Sequence, residues 1–231
     1  MNDFFEQLNA RIAQYDLLRH PFYQAWSMGQ LSNDDLREYA QDYYRHVDAF
    51  PGYLDGFRSR LGEGELRRAV QANMLDELGA EDATGQVGRS HSELWLDFAE
   101  GVGAERTMAG HEPVDEVKGL TAYFTRVARE GSPAEALAAF YAYESQVPRV
   151  AQEKARWLRE AYAADERTCG YFTLHATADV HHSAVWRNQL RKWLTANPDQ
   201  EKTALEAGEA AAKALWNALD GIERERLARA A

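Results

Sequence analysis

His175, Asp179 and His182 fall at i, i+4 and i+7 within YFTLHATADVHHSAVW, residues 171–186. At roughly 100° per residue on an α-helix their directions lie within about 60° of one another, whereas His181 points to another face. One helix would thus offer two imidazoles and a carboxylate along one stripe, and these are groups that hold Zn, Fe and Mn in proteins. A hydrogen-bonded core stripe explains the same triplet equally well, so partners must come from elsewhere in the chain. Glu77 follows Val70 and Met74 down the apolar side of ELRRAVQANMLDEL, and Glu144 shares a stripe with Phe140 and Val147. An inward carboxylate without a partner is expensive. His91, at the start of HSELW, supplies a third imidazole. Three carboxylates and three imidazoles from helices and a helix start are what a dinuclear site inside a bundle requires. The carboxylates offset the charge of two divalent cations and can bridge them, the imidazoles suit Fe or Mn, and open positions remain for dioxygen. The chemistry of such a site is redox.

The elements that must position these residues all read as helices. A first helix spans residues 2–15, with Phe4, Phe5, Leu8, Ile12 and Tyr15 at helical spacing. Pro21 opens a short helix closed by Gly29, on which Tyr23 and Trp26 share a side, most simply as core. Ser32 to Asp35 resembles a capping box for a long helix, and Pro51 is placed to kink or end it. Tyr39, Tyr43, His46 and Phe50 form its aromatic face, with His46 read as a core histidine. Glu65 to Leu78 forms the next helix, and the Gly-rich Gly79 to Ser90 reads as a connection or lid. Pro113 starts another helix. Ser132, Pro133 and Glu135 start one expected to continue to Tyr162 with Pro148 inside it, freeing the Glu144 carbonyl from its helical bond. A helix over 171–194 ends at Asn197-Pro198, and an Ala-rich amphipathic helix closes the chain with Leu205, Ala212, Leu215, Trp216 and Leu219 as its apolar face. No strand pattern, internal repeat or linker stands out, so the expected architecture is all-α, one domain over 1–231.

Composition narrows the function. With 45% apolar residues the chain can bury a core, and a net charge of −11 argues against nucleic acid and an anionic membrane surface. No apolar run is long enough to span a bilayer, and the acidic first residues are unlike a secretory signal, so a cytoplasmic protein is expected. Cys169, the sole cysteine, excludes an intrachain disulfide and a thiolate cluster.

DYYRHVDAFPGYL, the DE of LDEL followed by HSELW, YESQVPRVAQEKAR and YFTLHATADVHHS resemble the chlamydial CADD family, relatives of TenA and of pyrroloquinoline-quinone synthase, PqqC. The resemblance runs from about Phe22 to Trp186. It implies a heme-oxygenase-like helical bundle with a non-haem dimetal centre, Fe/Fe or Mn/Fe, whose ligands would be Glu77, His91, Glu144, His175, Asp179 and His182. It also implies oxygen-dependent synthesis of 4-aminobenzoate for folate, with molecular oxygen as co-substrate, an external reductant and a homodimer, which the apolar face of the last helix allows. A tyrosine of the chain itself would supply the ring and a lysine the nitrogen. The matching positions are Tyr23 and Lys154, with Tyr43 and Tyr143 as redox or positioning tyrosines. The chain departs from the family in the enlarged gap between Glu77 and His91. At ~1.5 Å rise per residue, Lys154 would lie about 15 Å along a straight helix from Glu144.

Three other enzyme readings compete: a TenA-like hydrolase using Cys169 as nucleophile, a metal-free PqqC-like synthase, and haem binding through His20 or His46. The non-enzymatic alternative is a helical interaction module.

Overall fold

The computed structural model describes residues 2–80, 87–108 and 110–230, and every regular element among them is helical. The order is α1 (Asn2–Ala13), a 3-10 turn (Leu17–Arg19), α2 (Pro21–Trp26), α3 (Asn33–Arg58), α4 (Glu65–Glu77), α5 (His91–Gly101), α6 (Asp115–Glu130), α7 (Pro133–Glu144), α8 (Val147–Tyr162), α9 (Glu166–Ala196), a second 3-10 turn (Pro198–Gln200) and α10 (Glu201–Arg229). Local chemistry sets the starts. Ser32 with Asp35, Ser90 with Glu93, and Ser132 with Glu135 each form a reciprocal capping box for α3, α5 and α7. Asp165 caps α9 by accepting from the Thr168 amide. Of the Gly79 to Ser90 stretch read as a connection or lid, residues 81–86 lie outside the described residues.

Helix α7 occupies the centre. From Ala136 to Glu144 every residue is buried, and its alanines let α10 pack closely along it. Gly208 of α10 marks the tightest approach: a Cβ there would collide with Leu8 Cδ1 and meet the Ala138 carbonyl at 3.4 Å. Helix α9 lies against α5, α7 and α8, and α3 against α4, α5 and α6, so the helices bearing candidate ligands surround one interior.

Two expectations need correction and one is narrowed. The helix expected from Ser132 to Tyr162 is two helices, because the chain breaks at Ser145–Gln146 and Pro148 falls in the first turn of α8. A proline has no amide to donate and is tolerated where that amide would be unsatisfied anyway. Of the two roles open to Pro51, to kink or to end α3, the second is excluded, since the helix continues to Arg58. The apolar face of α10 is covered by α1, α6 and α7 of the same chain, leaving Ala212, Leu215 and Leu219 almost wholly inaccessible. That face therefore gives no support to a dimer.

Asp97 fastens the site-bearing helices together. It is 2% exposed, and its carboxylate accepts from Arg89, from Arg106 at 2.6 Å and, across to α9, from Arg167 at 3.0 Å. These guanidinium contacts hold its carboxyl well below the usual range. A carboxylate with a depressed folded pKa stabilises the fold fully above its unfolded value of about 3.9, and the contribution is lost as pH falls below it. Asp97→Ala is expected to cost about 2 kcal/mol at pH 7, since the arginines are half-exposed. The difference from wild type should shrink at pH 3; denaturant titrations at the two pH values check this.

Candidate metal centre

Glu77 ends α4, His91 begins α5, Glu144 ends α7, and His175, Asp179 and His182 lie along one face of α9; all six are buried. Donor atoms of Glu77, His91 and His175 cluster within 4.8 Å of one another, as do those of Glu77, Glu144 and His182. Glu77 belongs to both clusters and, among the described residues, is the one that would contribute to both ions if two were held there. His91 reaches it despite the long gap in sequence, with Nδ1 2.7 Å from Glu77 Oε2. Asp179 stands outside both clusters, but its Oδ1 lies 3.2 Å from His182 Nδ1 and it lines the same small cavity.

The unsatisfied atoms test whether metal fits. His91 Nδ1 and Glu77 Oε2 are 2.7 Å apart without the alignment of a regular hydrogen bond, as close as an ion pair but not locked to each other. Trp186 Nε1 donates to Glu144 Oε2 at 2.5 Å, while Glu144 Oε1 is buried without a partner. His175 Nδ1 donates to the Tyr171 carbonyl at 2.8 Å, which fixes the tautomer and leaves Nε2 to bind. His182 is held on both sides, by Asp179 and by Asp76, whose Oδ2 is 2.8 Å from Nε2. Buried, partnerless donors of these types are what a cation would satisfy. The residues fit a metal centre.

Without a bound ion, the members of the cluster shift one another's titration. Burial raises the Glu77 carboxyl, but the imidazole charges of His91, His175 and His182 outweigh it and bring the group below the usual range. Burial and then the charge of Asp179 push Glu144 well up. Burial opposes charge on His182, yet the bonds from Asp179 and Asp76 raise it to about 11. Burial lowers His175.

Beside the metal cavity is a second one of about 30 Å³, lined by Tyr23, Tyr39, Tyr43, Trp95 and Lys154 among others. Tyr143 and Tyr171 line both cavities and form the wall between them. Lys154 Nζ donates to the Tyr23 hydroxyl at 2.7 Å and to the Tyr39 hydroxyl, and it sits 4.1 Å from the centroid of the Tyr23 ring. Among the described residues no carboxylate accompanies it, and burial holds its amine well below the ordinary lysine value. All four chemistry-bearing residues, Tyr23, Tyr43, Tyr143 and Lys154, are therefore brought to this one place.

Sequence reasoning missed Asp76, Trp186, Tyr39 and Tyr171 as members of the site. The first adjoins Glu77 in the DE pair, which was the available signal; the others carry only aromatic character. The hydrolase and haem readings find no support here. Cys169 is fully buried and its thiol is pushed up by burial, and among the described residues its hydrogen-bond partner is the Ala155 carbonyl rather than a base. His20 bonds the Phe22 amide through Nδ1 and Asp220 through Nε2. His46 is sealed among aromatic rings, and burial lowers it to about 3. Among the described residues no helix is long and apolar enough to cross a membrane.

The class defined by fold and donors is the helical bundle with an internal, metal-competent cluster of carboxylates and imidazoles. The chain belongs to the iron-containing redox enzyme family, which it matches over residues 37–216. It is 34% identical to a 4-aminobenzoate synthase of Chlamydia pneumoniae over 96% of both chains. It is 37% identical to a 4-aminobenzoate synthase of Chlamydia muridarum, over 95% of this chain and 90% of that one. A TenA homolog from Pseudomonas syringae shares the fold with a TM-score of 0.82 at 16% identity, covering 96% of this chain and 93% of that chain. The resemblance to the CADD family and the all-α, heme-oxygenase-like fold are thus borne out.

Proposed function

We propose that the protein makes 4-aminobenzoate from its own Tyr23, with Lys154 as nitrogen donor and molecular oxygen as oxidant, at a centre of two Fe ions or one Mn and one Fe. Glu77, His91, Glu144, His175, Asp179 and His182 would hold the ions. When bound, the metals supply dioxygen activation and, with it, the oxidising power for phenol chemistry.

The observation that carries this reading is the 2.7 Å contact between Lys154 Nζ and the Tyr23 hydroxyl. In 4-aminobenzoate the nitrogen sits para to the carboxyl carbon; in tyrosine the hydroxyl sits para to Cβ. Lys154 thus faces the ring carbon that must acquire nitrogen, and Cβ becomes the carboxyl carbon. The nitrogen–Cε bond of Lys154 and the Cα–Cβ bond of Tyr23 break, leaving Cε as an aldehyde and Cα as a glycine residue; the phenol oxygen leaves as water, Cβ is oxidised to the carboxyl, and dioxygen, with the external reductant supplying the balance, accepts the electrons. Lys154 has to be neutral to act as a nucleophile, and burial among rings favours that form. Tyr143 and Tyr171 would relay oxidising equivalents through the wall they form, with Tyr43 as the polar neighbour of Tyr143. That arrangement removes the need for Lys154 to reach the metals. A chain consumed in this way turns over once and needs an external reductant.

Anaerobic loading of the reduced apoprotein with Fe and Mn, followed by oxygen, tests the proposal. Two metal ions per chain, at most one 4-aminobenzoate per chain, and an intact mass showing a changed Tyr23 and Lys154 are expected. Metal uptake with product but an unchanged chain mass would replace self-sacrifice by a free substrate.

A further inference from the structure

The chain is strongly acidic, yet one groove is basic. Arg45 of α3 and Lys118, Arg126 and Arg129 of α6, all exposed, line an open depression of about 370 Å³ with Thr121 and Thr125, and Glu130 stands at its edge. Lys118 pairs with Glu112 and Asp115 at 3.4 and 3.3 Å, but Arg45, Arg126 and Arg129 have no carboxylate partner among the described residues. Many arginines elsewhere are drawn into ion pairs, as around Asp97 or in Arg156 with Glu153 and Glu160, whereas here three without a carboxylate partner share one groove.

The floor of this groove leads to the metal cavity. Tyr53 has Thr121 as a polar neighbour and Arg45 as a nearby charge. Its hydroxyl lies 3.4 Å from His46 Nδ1, and the His46 ring meets Tyr143 edge-on at 5.0 Å between centroids. Phe124 reinforces the contact, stacked on Tyr53 at 5.7 Å and set against His46 at 5.3 Å. Tyr143 lines the cavity that holds Glu77 and Glu144. His46 has no role in the metal site itself, and its Nε2 is without a partner.

We propose that the α3–α6 groove docks an acidic electron-carrier protein, and that Tyr53, His46 and Tyr143 form the contact path from it to the metal centre. This rests on the reading above, which requires electrons from outside the chain. The carrier gives up one electron per encounter to the metal centre, with no bond made or broken. Electron tunnelling falls steeply with distance, so a file of touching rings is the favoured route. An acidic carrier is repelled by most of a surface of net charge −11, so a local cluster of unpaired arginines both steers and orients it. The open shape and long charged walls suit a protein surface rather than the enclosed, mostly apolar pocket of a small ligand.

The test uses a plant-type [2Fe–2S] ferredoxin as probe, with binding measured by titration calorimetry at 20 and 500 mM salt. Wild type should bind, with affinity falling at least about tenfold at high salt. The double variant Arg126→Glu, Arg129→Glu should bind at least about tenfold more weakly at low salt with an unchanged circular dichroism spectrum. Tyr53→Phe should retain binding, yet slow ferredoxin-driven reduction relative to reduction by dithionite. Docking is read on metal-free protein as well, so its outcome is independent of whether metal loading succeeds. Absence of ferredoxin binding, or equal affinity in the double variant, would overturn the proposal. So would a wild-type self-association, seen by sedimentation, that the double variant abolishes, because the groove would then belong to a second copy of the chain.

Discussion

Glu77→Ala is expected to remove both metal ions at once, lowering affinity by more than about 100-fold, the upper end of what loss of even a supporting contact to a ligand costs. Formation of 4-aminobenzoate should fall with it. The reason is geometric: Glu77 is the residue common to the cluster with His91 and His175 and to the cluster with Glu144 and His182. His91→Ala should instead weaken one ion and leave the other, because His91 belongs to the first cluster only. Metal stoichiometry by elemental analysis, with an anaerobic Co(II) titration of each variant, separates these outcomes. Two tightly held ions in Glu77→Ala would contradict the bridging role.

Lys154→Met should have opposite effects on activity and stability. Product is expected to vanish, since the variant has no nitrogen to deliver. Stability at pH 7 should rise by about 1–2 kcal/mol, because an amine buried without a carboxylate is replaced by an apolar side chain of similar length. The pH dependence identifies the cause. With its folded pKa well below the ordinary value, Lys154 binds a proton in the unfolded chain but not in the native one over the window between the folded value and about 10.4. Wild-type stability therefore rises with pH across that window. The advantage of Lys154→Met should shrink as pH approaches 10.4, which chemical denaturation at pH 7 and pH 10 would show. A constant advantage would mean that packing, not desolvation, is responsible. The Tyr23 and Tyr39 hydroxyls, 3.1 Å apart, can bond one another once the lysine is gone, which limits the cost of its loss.

The helices and the ligand-bearing faces were largely legible before folding. The capping starts at Ser32 and Ser132 are local chemistry, readable over four residues, and both form; the same box at Ser90, inside the stretch read as a loop, was equally local but not read. The i, i+4, i+7 spacing of His175, Asp179 and His182 places them on one buried face because helical periodicity is a property of the backbone. Pro148 was read as an interruption of one helix rather than the start of another: a missing amide is the same local fact in either case, and only the turn at Ser145–Gln146 distinguishes them. The covered face of α10 was legible as apolar, but apolarity does not say which surface covers it.

Residue types, caps and periodicity by themselves determined an all-helical chain with six metal-competent side chains turned inward. Tertiary structure decided everything that depends on atoms far apart in sequence: that Glu77 joins both clusters, that Asp76 holds His182, that Tyr143 and Tyr171 stand between the metal cavity and the tyrosine-lined one, and that Lys154 meets Tyr23. The division is physical. Periodicity gives a side chain its direction, whereas partner, distance and solvation are set by the helices that close around it, and desolvation there shifts Lys154 well away from an ordinary surface lysine, toward the neutral amine.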